Sequence, residues 1–319
     1  MMNYRIVGKT GLKIPALSYG TWQTFGETVE DAMADRIVST AYEKGVRCFD
    51  GAEAYAQGAA DTMMGKVLKQ KDWNRESYLL TGKCIRSGPE EWQQGISRKR
   101  VTECCHRTLK RLHTDYLDLF FCHRPDGVTP PEDIVITMNA LIQQGKILYW
   151  GTSVFDAVTL ERMWQFADRH GLAGPIVEQS CYNLLSRDRV EKDLRPLFEK
   201  WGMGTTVYSP IAGGQLSGKY NQGIPEGTRM ADHDRMKKQL TEERLTHLRG
   251  IQKIADELDV PMASLAYAWV LKNPNVSTAI MGARKPEQIE RNVSALDVLE
   301  KLTPEILTKI EAVFEEDSE

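Results

Sequence analysis

Short apolar runs alternate with longer amphipathic segments along almost the whole chain. Eight runs have the length and the β-branched or aromatic content of strands: residues 16–19, 46–49, 78–81, 117–122, 147–150, 176–179, 205–208 and 278–281. Between them lie segments with helical spacing, at 29–44, 59–69, 97–112, 131–144, 157–170, 187–201, 242–271 and 286–294. In the sixth of these, Val190, Leu194, Leu197 and Phe198 make an i, i+4, i+7, i+8 stripe suited to packing on a sheet. Eight strand–helix units point to the α/β class and to a closed (β/α)8 TIM barrel, with an open doubly wound sheet as the competitor. The number of units, and the lack of any linker or composition break, favour one barrel domain over residues 1–319. The opening YRIVGKTGLKIPAL reads as an N-terminal β-hairpin for the barrel floor, and residues 304–315 as an extra C-terminal helix. Residues 210–235, with five glycines, Lys219 and Arg229, are the one long irregular stretch and suit a flap over an anionic ligand.

Composition narrows the function classes. The chain has 319 residues, 27% of them charged, and a net charge of −3. That balance argues against nucleic acid as a partner, because neutralising phosphates takes a basic excess. No apolar stretch approaches the ~18 residues that cross a bilayer, so no membrane insertion is expected. The start MMNYRIVGKTG lacks a signal-peptide layout. Six cysteines without a C-x-x-C pair read as reduced thiols and a cytoplasmic protein. Cys104, Cys105 and His106 are adjacent, but consecutive helical residues diverge by about 100°, so no metal site is expected.

Parallel barrels build their sites where the strands end. The second run ends in Asp50, with Tyr55 shortly after; the third ends in Lys83 and the fourth in His123. Each alone has a bland reading as a cap, a snorkelling cation or a core histidine. Together they make a chemical set. Asp50 would hold Lys83 charged, the ammonium would lower the pKa of Tyr55, and the phenol would become a general acid. Neutral His123 would donate a hydrogen bond to the oxygen gaining charge. Such a group suits proton delivery to a carbonyl, with electrons from a cofactor.

A second constellation follows the eighth strand. In MGARKPEQIERN, Pro286 fits the first position of a helix, and Arg284 and Lys285 stand just before it. A helix N-terminus with two cations suits a phosphate, here the 2′-phosphate of NADPH.

On GLKIPALSYGTW, CFDGAEAYAQGAAD, LLTGK, YLDLFFCHRPD, WGTSVF, VYSPIAGGQLSGKY and GARKPEQIERN, the chain resembles the aldo-keto reductase family from about residue 4 to 315. HRPD, the SGKY flap and GARKPEQ are most similar to the branch of voltage-gated potassium channel β subunits and related bacterial reductases. The resemblance implies a catalytic tetrad of Asp50, Tyr55, Lys83 and His123. For an NADP cofactor it implies Ser153 and Gln179 at the nicotinamide carboxamide and Tyr208 stacked on the ring. Ser209, Ile211, Gly213, Ser217, Lys219 and Arg229 would follow the pyrophosphate. Gly282, Arg284, Gln288 and Asn292 would meet the adenosine phosphate, and Trp22 and Gln23 the mouth. Three positions depart from the family pattern. Val154 stands where asparagine is common, Gly51 where threonine is common, and Arg291 where a carboxylate is frequent.

The leading expectation is therefore an NADPH-dependent enzyme that reduces small-molecule aldehydes or ketones to alcohols, with Tyr55 as proton donor. The alternative is a cofactor-binding regulatory subunit of a membrane channel, although those subunits tend to lack the tetrad histidine. A Schiff-base aldolase or isomerase using Lys83 would leave Asp50 and Tyr55 unexplained. Arg86 and Arg124 near the mouth hint at polar or anionic substrates, and assembly into a homo-oligomer stays open.

Overall fold

The computed structural model describes residues 2–85, 90–226, 230–231 and 237–315. Strands β1 (Tyr4–Ile6) and β2 (Lys13–Pro15) form an antiparallel hairpin. Eight further strands run parallel: β3 (Leu17–Gly20), β4 (Cys48–Asp50), β5 (Leu79–Cys84), β6 (Leu117–Cys122), β7 (Ile147–Ser153), β8 (Val177–Cys181), β9 (Gly204–Tyr208) and β10 (Val276–Met281). They close into a barrel in the order β10-β3-β4-β5-β6-β7-β8-β9. The helices around it are α1 (Asp31–Glu43), α2 (Ala59–Gln70), α3 (Arg98–Leu112), α4 (Pro131–Gln143), α5 (Ala157–His170), α6 (Arg195–Trp201), α7 (Glu242–Glu257), α8 (Met262–Lys272) and α9 (Pro286–Val293). A short α10 (Ala295–Val298) and the C-terminal α11 (Pro304–Glu315) follow. This is the (β/α)8 barrel expected from the pattern, with its hairpin and its extra helix.

α3 shows how the pattern becomes structure. Ser97 caps it by accepting from the Arg100 amide, and Val101, Cys104, Cys105, Thr108, Leu109 and Leu112 line its buried face. His106 points the other way and is exposed, so it diverges from the two buried thiols before it. Among the described residues, no group of three or more His, Cys, Asp or Glu is arranged to hold a metal ion.

Strand pleat divides each run between two environments. Cys48, Leu79, Leu119, Phe121, Tyr149 and Val177 pack in or against the inner cluster, together with Val7 and Ile14 of the hairpin. Phe49, Leu80, Phe120, Cys122, Trp150 and Val207 belong to the outer cluster shared with the helices. The hairpin therefore sits on the floor. Its turn comes so near the wall that a Cβ at Gly8 would meet the Gly202 carbonyl at 2.6 Å, and Lys9 N donates to that carbonyl at 2.7 Å.

Two boundaries differ from the pattern. Residues 242–271 are two helices, not one, because Asp259 takes a left-handed φ of 51° and Pro261 cannot continue the first. The segment 187–201 begins with a wide π-type turn over Arg189–Asp193, and α6 starts only where Pro196 fits its first turn.

Candidate active site

The pleat that buries Leu119 and Phe121 inside the barrel also aims the next residue of the same parity, His123, at the mouth. The same count carries Cys48 to Asp50, Leu79 to Thr81 and Lys83, Tyr149 to Ser153, and Val177 to Gln179. An imidazole ends a dry strand because the strand's inner face opens there into the site.

Lys83 is fully buried, and its three donors are all used. Its Nζ donates to Asp50 Oδ2 at 2.5 Å, to the Gly51 carbonyl at 2.8 Å and to the Tyr55 hydroxyl at 3.3 Å. The second Asp50 oxygen accepts from Thr81 Oγ1 at 2.8 Å and from Gln179 Nε2 at 3.1 Å. A buried ion pair is tolerable when its remaining lone pairs and protons are met this way. The His123 ring stands edge-on to Tyr55, with centroids 5.8 Å apart, and its buried Nδ1 has no hydrogen-bond partner among the described residues. Trp22, 48% exposed, leans its ring within 6.5 Å of the Tyr55 ring.

Charge in this group follows burial and neighbours. Burial opposes the Lys83 charge, but Asp50 and Tyr55 outweigh it and raise its pKa. For Tyr55 the expected lowering does not result. Burial, helped by Asp50, outweighs the nearby ammonium, and the phenol is raised above its ordinary value. Lys83 moderates that rise rather than reversing it. Burial, then Lys83 and Arg124, push His123 down to about 3, so its imidazole is neutral.

The other candidates surround this centre. Ser153 is buried at the end of β7 and donates to the Gln179 carbonyl at 3.0 Å. Gln179 also reaches Thr206 at 3.3 Å, so its amide nitrogen is committed inward while its carbonyl oxygen remains an acceptor. Tyr208 is half-buried at the end of β9, followed by Ser209 with a φ of 54°. Ser209, Ile211, Gly213 and Ser217 belong to a tight chain of turns, where the Ser217 hydroxyl donates to the Gly214 carbonyl at 2.6 Å. Lys219 folds back over this chain, its ammonium 4.8 Å from the Tyr220 ring centroid. Arg229 lies outside the described residues, as does Arg86.

After β10, Gly282 is exposed, and a Cβ there would meet nothing within 4 Å. Gln288 Oε1 accepts from the Arg284 and Lys285 amides at 2.6 and 3.2 Å, closing the start of α9 with a side chain. Asn292 is turned inward, buried, with its amide 3.8 Å from Met281 Sδ. Among the described residues no carboxylate pairs with Lys219, Arg284 or Lys285. Among the described residues, these cations without a carboxylate partner, and the buried Gln215 Oε1 and Tyr220 hydroxyl without a hydrogen-bond partner, fit an anionic, hydrogen-bonding ligand.

Residue-type reasoning missed Thr81 and Asn183. Thr81 is two places before Lys83 on one strand, so the alternation itself would have found it. Asn183 donates to the Ser209 carbonyl at 2.9 Å, a contact with no signature in the sequence. Mouth loops are also stitched together by Asp126, whose carboxylate accepts from the amides of Ile96, Val128 and Thr129.

A model of the aldo/keto reductase family matches residues 16–315. Three relatives match almost end to end. A probable voltage-gated potassium channel subunit beta of Arabidopsis thaliana is 42% identical over 318 residues, covering 98% of this chain and 97% of the relative. A probable subunit of the same description from Oryza sativa subsp. japonica is likewise 42% identical over 318 residues, with the same coverage. A putative one from Schizosaccharomyces pombe is 41% identical over 319 residues, covering 98% of this chain and 93% of the relative.

Proposed function

Since the chain belongs to the aldo/keto reductase family, a family of oxidoreductases, we propose that it reduces aldehydes or ketones with NADPH, using Tyr55 as the proton donor. One observation carries this reading: a single ammonium, Lys83, is bonded at once to the Asp50 carboxylate and the Tyr55 hydroxyl, beside the neutral ring of His123.

A bound reduced nicotinamide supplies hydride to the carbonyl carbon. Everything else falls to this chain. The raised pKa of Tyr55 keeps its proton on the phenol at neutral pH, where a donor must hold it. As the carbonyl oxygen gains charge, the phenol transfers that proton, and the ammonium stabilises the phenolate left behind. Asp50 keeps Lys83 charged and in place. His123, neutral because of burial and two nearby cations, offers an N–H to the same oxygen and orients the substrate.

Ser153 and Gln179 would hold the carboxamide, Gln179 through its side-chain carbonyl oxygen, and Tyr208 would cover the ring. Ser209, Ile211, Gly213, Ser217, Lys219 and Arg229 would follow the pyrophosphate. Arg284 and Gln288, with Gly282 leaving room, would take the 2′-phosphate. Asn292, buried against Met281, would support that end from below.

The test is NADPH consumption with a panel of aldehydes by the wild type and by Tyr55→Phe. Loss of a general acid should cost roughly 10²- to 10⁴-fold in kcat, with NADPH binding retained. A Tyr55→Phe protein that reduces aldehydes at the wild-type rate sinks the assignment.

The similarity to probable and putative voltage-gated potassium channel β subunits supports a second reading, a cofactor-binding regulatory subunit of a membrane channel. Wild-type protein that binds NADPH tightly and reduces nothing, with Tyr55→Phe indistinguishable from it, would favour that reading.

A further inference from the structure

Behind Gly51 lies a carboxyl that the proposed reaction does not use. Asp61, in the first turn of α2, is 1% exposed, and neither of its oxygens has a hydrogen-bond partner among the described residues. An ideal Cβ on Gly51 would fall 2.9 Å from Asp61 Oδ1. The carboxyl is therefore pressed against the residue whose carbonyl receives the Lys83 ammonium at 2.8 Å. Beside it is a cavity of about 10 Å³ lined by Thr21, Gly51, Thr81 and apolar side chains. That is room for at most about one water.

An ionised carboxylate with no partner is costly in such a place. The charged groups around it do not remove the cost. Arg111 of α3 and Lys83 of β5 attract it, while Glu53, in the loop after β4, and Asp50 repel it. Lys83 is already bonded to Asp50 at 2.5 Å, and Arg111 is shared with Glu53, whose carboxylate lies 3.5 Å from its Nη1, although that Nη1 makes no hydrogen bond among the described residues. Burial is the largest influence and brings Asp61 up to about 7.

We propose that Asp61 is a positioning residue for proton donation: neutral, it leaves the Lys83–Tyr55 pair at full strength, and ionised, it sets a further negative charge behind that pair. The proposal rests on the reading of Tyr55 as the proton donor. The sign follows from charge. Reduction turns a neutral phenol into a phenolate, which a nearby carboxylate disfavours, and Asp61 is among the groups that raise the Tyr55 pKa. Hydride and proton transfer should be fastest while Asp61 is protonated and should slow as rising pH ionises it.

The experiment is single-turnover reduction of one aldehyde from about pH 5.5 to about pH 9, with protiated and deuterated NADPH to isolate the hydride step. The wild-type rate should fall between about threefold and tenfold around pH 7, the size of up to one unit in the acidity of Tyr55. Asp61→Asn should hold its low-pH rate throughout. A wild type without the fall, or an Asp61→Asn protein that keeps it, overturns the proposal. Carboxyl ¹³C NMR of aspartate-labelled wild type gives a readout independent of turnover and of any variant's folding. One aspartate should titrate near neutrality; if every one titrates in the ordinary carboxylate range, the proposal is wrong. Tyr55→Phe separates the two failures. Retained hydride transfer in that variant defeats the donor assignment, whereas a dead Tyr55→Phe beside an unaltered Asp61→Asn profile defeats only the role of Asp61.

Discussion

Val154 follows Ser153 with a φ of 61°, a left-handed conformation that a β-branched residue rarely adopts. Gln23, Ala56, Gln57, Ser209 and Ala212 share that sign of φ in the loops that follow barrel strands, whereas His113 and Asp259 have it at helix ends. Strain of this kind gathers around functional sites, where the surrounding structure enforces it. Asparagine tolerates the left-handed region, so Val154→Asn should stabilise the protein by roughly 1 kcal/mol, read as a higher urea midpoint at unchanged slope. A midpoint that does not rise would show that the strain is relieved elsewhere. Of the four candidate tetrad side chains, Asp50, Lys83 and His123 were legible because each ends an apolar run, and Tyr55 because it follows the second run closely. The acidity of Tyr55 was not. Sequence order says which charges lie near the phenol, but the opposing influence is the extent of its burial, and that depends on how the strands and loops finally close over it.

Elements were legible wherever one physical constraint dominates. The inner face of each strand must alternate, so the sequence alone relates Cys48 to Asp50, Leu79 to Lys83 and Leu119 to His123. Boundaries were less so. Helices α7 and α8 look continuous by their apolar spacing, and only the backbone turn at Asp259 and the missing N–H of Pro261 separate them. At the start of α9, Gln288 occupies the backbone amides of Arg284 and Lys285, so a phosphate there would rely on side-chain charge rather than on those N–H groups. Arg284→Ala should accordingly raise the KM for NADPH by roughly tenfold or more, the worth of one charged hydrogen bond. The KM for NADH should hardly move, and an equal rise for both cofactors would count against a 2′-phosphate at this helix.

Taken whole, the barrel separates durability from chemistry. The mouth carries every candidate side chain, while the floor is sealed by Val7 and Ile14 of the hairpin against Leu119, Phe121 and Val177. Ile14 is 1% exposed, so Ile14→Asp should cost more than about 3 kcal/mol in denaturant unfolding by burying an unpaired charge. Its kcat at a temperature where the protein stays folded should match the wild type; a large loss of kcat without unfolding would show that floor and mouth are coupled. The wall itself closes late. Leu17 of β3 pairs with Ala279 of β10, and β10 is also the neighbour of β9. During synthesis, therefore, the sheet stays one strand short until residue 281 has emerged from the ribosome. Both of its margins then offer bare peptide groups to any passing chain. The final strand acts as a keystone, and only when it is set does the arch lose its open edges.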